Sequence, residues 1–245
     1  MALLEAKNLA QSFEGQEIIS DVSIELGPNE IVCLIGTSGV GKTTLFQILS
    51  GLHQPTAGHV VLEGQDITGQ AGKISYMLQK DMLLPYRTIE DNIALPLIIQ
   101  GTHKKEARVR IQPYFEEFGL EGTQKKYPSQ LSGGMRQRAA LLRTYMFSHK
   151  VVLLDEPFSA LDALTKHEMH TWYLKIMEKI QLSTLFVSHD IDEAIYLSNR
   201  VLVMAGTPGT IIKEIPIVRT MKNRDEFGVS PQFLEYKKQL LAFLR

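Results

Sequence analysis

The stretch Gly36-Thr37-Ser38-Gly39-Val40-Gly41-Lys42-Thr43 lies between the apolar run Ile31–Ile35 and the helix-forming Thr44–Leu49. Its glycines let backbone N–H groups turn inward around a chain of phosphates. Lys42 reaches the outer phosphates, and the Thr43 hydroxyl is a hard oxygen ligand of the kind magnesium takes. The start of the following helix adds the positive end of its dipole. A tight glycine turn that binds nothing is the alternative. A β-branched strand before the loop and an unbroken helical period after it favour a nucleoside triphosphate site. Farther along, Val151-Val152-Leu153-Leu154-Asp155-Glu156 is an apolar strand that ends in two acids. Asp155 can hold magnesium through water, and Glu156 can polarise the water that attacks the terminal phosphorus. Two acids that merely cap the next helix are the plainer alternative.

The elements that must carry these residues alternate in type. Leu3–Phe13 and Ile18–Leu26 read as a β-hairpin around Glu14-Gly15-Gln16, followed by the central strand, the first helix, and strands at Gly58–Ile67 and Ile74–Leu78. Helical apolar spacing then runs through Thr88–Gln100, Lys104–Phe118 and Gly133–Ser148, with Thr88-Ile89-Glu90-Asp91 as a capped start. Strand Val151–Leu154, helix Ala163–Ile180, strand Thr184–Ser188, helix Ile191–Leu197 and strands Arg200–Met204 and Thr210–Ile217 return the pattern to α/β. Such alternation predicts a parallel sheet wrapped by helices. Pro231–Arg245 reads as a surface helix.

With 245 residues, 44% hydrophobic content and a formal net charge of −1, the chain has material for a full core and no basic field for nucleic acid. The lone Cys33 lies in the strand before the loop and reads as a small buried filler, which fits a reducing, cytosolic compartment. The first residues lack the apolar core of a signal peptide, and no run approaches the ~18 apolar residues of a membrane span. Any membrane role must therefore run through a partner. His53, His59, His103, His149, His167 and His170 show no metal-ligand spacing; His167 and His170 are expected on a solvated helix face. Lys104-Lys105 and Lys125-Lys126 are expected as solvated helix ends.

Leu131-Ser132-Gly133-Gly134-Met135-Arg136-Gln137 is a second glycine-rich helix start, with the Ser132 hydroxyl and the N–H groups of Gly133 and Gly134 at a helix N-terminus but no lysine of its own. One chain needs only one phosphate cradle. Here the sequence resembles the ATP-binding cassette family over roughly Leu3 to Ile217. The resemblance implies an α/β fold: a P-loop NTPase core with a mainly parallel sheet, an N-terminal antiparallel β subdomain, and an all-helical insert, about 86–149, that carries the second glycine-rich start. The ATPase domain would span 1–220 and a tail with a surface helix 221–245. ATP and magnesium are the implied cofactors. Two copies would pack head to tail, with ATP on Gly36–Thr44 of one closed over by Ser132, Gly133, Gly134 and Gln137 of the other. The resemblance puts Phe13 where the family stacks an aromatic ring on adenine, with tyrosine the usual residue; residue chemistry alone reads Phe13 as core. It puts Gln79 on magnesium and the attacking water, Ser159-Ala160-Leu161-Asp162 in the loop that speaks across the dimer, and His189 on the terminal phosphate and Glu156. His189 also follows a strand whose carboxyl end is a natural ligand position. Catalysis would thus fall to Glu156, His189, Gln79 and Lys42, and metal binding to Thr43, Gln79 and Asp155.

The apolar run Met82-Leu83-Leu84-Pro85-Tyr86 lies in what ought to be a surface loop; it either meets a partner or packs on its own helical insert. In the nitrate, sulfonate and taurine importer subfamily this segment often reads Leu-Leu-Pro, an aromatic, then Arg-Thr, as Leu83–Thr88 does here with Tyr86 at the tryptophan position. The implied protein is the ATP-hydrolysing subunit of a small-solute importer, including thiamine-precursor types, peripheral on the cytoplasmic face of the membrane. Its partners would be a permease subunit docked on about 80–88, a second cassette, most simply an identical copy, and, indirectly, a solute-binding protein. A cassette protein acting on ribosomes or DNA is the alternative, which single-cassette length and balanced charge disfavour. A small-molecule kinase would have no use for Leu131–Gln137.

Overall fold

A computed structural model describes residues 2–147, 150–221 and 223–244; the expected helix end at Ser148, the insert boundary at His149 and the last tail residue, Arg245, lie outside the described residues. The chain forms two compact units, 1–74 with 183–245, and 75–182.

The first unit holds two sheets. Strands β1 (Leu4–Phe13) and β2 (Gln16–Leu26) form the expected hairpin, and β1 pairs on its other edge with β4 (Ala57–Leu62), which turns into β5 (Gln65–Asp66); all of these pairings are antiparallel. In the second sheet, β3 (Ile31–Gly36) lies between parallel neighbours β8 (Ser183–Val187) and β9 (Arg200–Ala205), and β10 (Thr210–Pro216) adds antiparallel to β9. Residues 31–35 and 183–187 are all buried, as strands inside a parallel sheet should be. Cys33 is fully buried, and burial pushes its thiol well above its ordinary range. Helices α1 (Lys42–Leu49), α7 (Ile191–Leu197), α8 (Arg224–Gly228) and α9 (Pro231–Phe243) complete the unit.

The second unit pairs β6 (Ser75–Met77) parallel to β7 (Val151–Asp155) and carries α2 (Ile89–Ile93), α3 (Leu95–Ile99), α4 (Lys104–Glu117), α5 (Gly133–Tyr145) and α6 (Ala163–Ile180). The single helix expected over 88–100 is two helices that meet at Ala94. Pro96 has no N–H to give to a carbonyl four residues back, so the ladder breaks there. The capped start at Thr88 is present, its hydroxyl accepting from Asp91 N at 3.3 Å.

Lys104, Lys105, Lys125 and Lys126 are exposed as expected, with Lys104 at the start of α4. Lys104 also pairs with Asp91 at 3.2 Å and Lys125 with the buried Glu90, while Arg108 reaches both acids. The first turn of α2 thereby ties its acids to cations from two other segments. His167 is exposed, but His170 turns inward against Phe158, with ring centroids 4.9 Å apart. Its position on the 3.6-residue wheel fits either face; the aromatic neighbour decides.

Asn92 is fully buried and organises the loop before α2. Its Oδ1 accepts from Leu84 N at 2.6 Å, and its Nδ2 donates to the carbonyls of Leu84, Arg87 and Thr88 at 3.1, 3.2 and 3.0 Å. Asn92→Ala is expected to cost about 2–4 kcal/mol, since net hydrogen-bond contributions run about 0.5–1.5 kcal/mol each and the partners become buried orphans. Thermal unfolding checks this, and limited proteolysis should find new cleavage within 80–88; an unchanged melting point would contradict it.

Candidate functional site

In the first unit, β3 delivers the glycine-rich loop. Gly41, at φ 105°, is the residue before α1, and Leu45 N returns to its carbonyl at 2.9 Å. Gly39 has φ 82°. Thr37, Ser38, Gly39 and Thr43 are exposed, Gly36, Lys42 and Thr44 are half-buried, and Val40 and Gly41 are buried. The loop is packed from below: a Cβ on Gly36 would lie 2.3 Å from the carbonyl oxygen of Met204, and one on Gly41 would lie 2.4 Å from Cγ2 of Ile19. Lys42 Nζ donates to the carbonyls of Gly36 and Thr37, both at 2.8 Å, so its ammonium sits over the mouth of the loop. Because β8 runs parallel to β3 in the register Leu34↔Val187, His189 leaves the sheet at the same end as the loop. His189 is exposed. Phe13, at the end of β1, is 41% exposed and meets His53 edge-on at 5.9 Å. It is a surface ring rather than the core residue that its chemistry alone predicts.

In the second unit, β7 ends in Asp155 and is followed by Glu156. The parallel register Met77↔Leu154 brings Gln79 level with Glu156, and Gln79 Nε2 donates to Glu156 Oε2 at 2.9 Å. Tyr76 Oη donates to Asp155 Oδ2 at 3.2 Å. Burial first, then the nearby Asp155 charge, raises the Tyr76 phenol, which stays a donor across the neutral range. Glu156 has φ 47°, a left-handed conformation uncommon for a side chain of this size and of a kind that clusters at functional sites. Its carbonyl accepts from Ser159 N at 3.2 Å and Ser159 Oγ at 3.0 Å, which closes the turn into residues 159–162. Asp162 caps α6.

The second glycine-rich start also lies in this unit. Ser132 is the N-cap of α5, accepting from Met135 N at 3.3 Å, and Ser132 and Gly133 are exposed. Gly134 is buried at a contact with α6, where a Cβ would lie 3.3 Å from Cγ2 of Thr165. Gln137 is buried, and its amide donates to the carbonyl of Pro157, the residue after Glu156. At the far end of α5, Arg143 donates to the carbonyls of Asp81 and Met82 at 2.6 and 2.7 Å, and Arg136 Nε lies 3.4 Å from Asp81. The segment after Gln79 and the helix behind Ser132 are thus tied. Sequence reasoning missed Tyr76 and Arg143. A phenol inside a short buried strand was the available signal for the first; a side chain that donates to a distant main chain leaves none for the second.

The sequence model of the ABC transporter family matches residues 19–159. The chain belongs to the ABC transporter family. Relatives include the formylaminopyrimidine import ATP-binding protein ThiZ of Halalkalibacterium halodurans, 44% identical over 229 residues that cover 93% of this chain and 90% of the relative. The nitrate import ATP-binding protein NrtD of Synechocystis sp. is 35% identical over 252 residues, covering 99% and 95%. The dimeric structure of the bacterial ABC transporter cassette MJ0796 superposes with a TM-score of 0.74 at 26% identity, covering 88% of this chain and 99% of that one. The chain is therefore an ABC ATPase, on an α/β fold with an antiparallel N-terminal sheet and a second sheet containing parallel strands.

Proposed function

We propose that this chain is the ATP-hydrolysing subunit of an ABC importer for a small solute, and that ATP closes two copies head to tail. The observation that carries this reading is the pair of glycine-rich helix starts in one chain. One has a lysine at its mouth; the other, at Ser132 and Gly133, is exposed and has none. A second, lysine-free anion site makes sense if it completes the phosphate site of another copy.

In this reading Lys42 and the amides of Gly39–Thr43 bind the phosphates, Phe13 stacks on the base, and Ser132, Gly133 and Gly134 of the opposing copy cover the terminal phosphate. Gln137, expected on the other copy's ATP, is buried and instead holds the turn after Glu156. Glu156 takes the proton of the attacking water, Gln79 orients that water and Glu156, and His189 donates to the terminal phosphate. The residues present fit magnesium: the Thr43 hydroxyl, the Gln79 amide oxygen and the Asp155 carboxylate are hard oxygen donors, and magnesium usually shares few protein ligands with substrate phosphates. When bound, it would neutralise charge on the transferred phosphoryl group. Removal of the terminal phosphate takes away the ligand common to both copies, and the pair reopens.

The relatives named above carry different solutes in their names, and solute choice belongs to other subunits. No helix among the described residues is long and apolar enough to cross a membrane, so force must pass to a membrane subunit. The segment 80–88 is the docking surface in this reading: Tyr86 is 93% exposed and Met82 55%, while Leu83 is buried and anchors the loop to its own unit. With the membrane subunit co-expressed, the chain is expected to sediment with membranes, and Met82→Asp with Tyr86→Asp should move most of it to the soluble fraction. A parent chain that stays soluble beside its membrane subunit, or a double variant that stays bound, would count against this surface.

A further inference from the structure

Helix α7 follows His189 directly and is seven residues long, too short to hold its place by helix propensity. Its start is locked to the residues around His189. Asp190 Oδ1 accepts from Asp192 N at 2.9 Å and Glu193 N at 3.3 Å, Asp190 N donates to Ser188 Oγ at 2.9 Å, and Ser188 N donates to Leu34 O at 3.2 Å. His189 therefore sits on a short bridge between β3 and the first turn of α7.

The other end of α7 is gripped by residues that come after the last strand. Arg219 Nη2 donates to the carbonyls of Ile195 at 2.9 Å, Tyr196 at 3.3 Å and Ser198, and Arg224 Nη1 donates to those of Tyr196 and Leu197. These are the carbonyls that a helix leaves unsatisfied, at the negative end of its dipole. Tyr196 Oη reaches Asp225 at 2.7 Å, and Lys237 of α9 pairs with Asp192 in the first turn at 2.7 Å. The Arg219 guanidinium lies over the Phe227 ring at 5.5 Å, and its Nε is buried with no hydrogen-bond partner among the described residues. Burial, then the like charge of Arg224, lowers this guanidinium to about 10. An orphaned donor and two adjacent cations are a costly way to cap a helix.

We propose that Arg219, Arg224, Asp225 and Lys237 form a clamp on α7 and that Arg219 is a positioning residue for His189. It acts through the helix: a shift of α7 along its axis carries Asp190 with it and tilts the 188–190 bridge. The inference rests on the reading of His189 as a donor to the terminal phosphate.

The test is a double-mutant cycle on the full chain with Arg219→Gln and His189→Ala, reading kcat, KM and ATP affinity. Arg219→Gln is expected to lower kcat about tenfold or more, as small misplacements of reacting groups do, with ATP affinity within about twofold of the parent. On the His189→Ala background it should lower kcat no further, because coupled residues are non-additive. Should Arg219→Gln fold poorly by circular dichroism, Arg224→Gln, whose side chain is half-buried, runs the same cycle. Parent kcat in Arg219→Gln, or an equal loss in both backgrounds, overturns the clamp while leaving His189 its role. Parent kcat in His189→Ala removes that role and the clamp with it.

Discussion

Glu156→Gln is expected to slow ATP hydrolysis by about 10²–10⁴, the usual worth of a general base, with ATP affinity unchanged. The amide keeps the size of the side chain but cannot take a proton. Three features hold the parent carboxylate ready to accept one. Strand β7 delivers it just past its carboxyl end, the left-handed φ of 47° turns it out of the strand, and Gln79 Nε2 fixes Oε2 at 2.9 Å. In the proposed reading ATP binding rests on Gly36–Thr44, a separate segment that the substitution leaves intact. A single-turnover measurement separates the two steps. Hydrolysis at the parent rate would remove Glu156 from the chemistry and leave Gln79 and His189 as the groups to examine.

Gly41→Ala is expected to abolish tight ATP binding, for reasons that differ from those at its neighbour Gly39. Both residues have positive φ, 105° and 82°, so an alanine strains either backbone. At Gly39 the added Cβ meets nothing within 4 Å, whereas at Gly41 it meets Ile19 Cγ2 at 2.4 Å. Backbone strain costs about 1–3 kcal/mol and overpacking a further 1–3. Gly41→Ala should then weaken ATP binding by about 30-fold or more, and Gly39→Ala by less, at about 1.4 kcal/mol per tenfold. Equilibrium titration with a fluorescent ATP analogue gives both values. Equal losses would mean that Ile19 yields and that packing beneath the loop does not shape it.

Much of this was legible because it is local. Glycines at positions 39 and 41 next to Lys42, a β-branched strand before them and a helical period after them are one continuous run, and the capped start at Thr88 is written in four residues. The acid pair was legible as an apolar strand that stops at Asp155. What escaped depends on side chains that reach a distant main chain. Gln137 donates to Pro157, Arg143 to Asp81 and Met82, and Arg219 to three carbonyls more than twenty residues earlier. A guanidinium that caps another element looks, in sequence, like any solvated arginine. The inward turn of His170 escaped for a related reason, since helical spacing fixes a side chain's direction on the wheel but not what faces it. Helix α8, at five residues, is too short to show a period, and the break within 88–100 turned on one missing N–H at Pro96.

Everything proposed for the nucleotide cycle depends on two copies sharing ATP between Gly36–Thr44 of one and Ser132–Gly134 of the other. The most direct measurement is the mass in solution of Glu156→Gln, by light scattering on a sizing column, with and without ATP. A shared site predicts a monomer without ATP, a dimer with it, and a monomer again when Ser132→Arg is added. A mass that ATP leaves unchanged, or a dimer that survives Ser132→Arg, would contradict it.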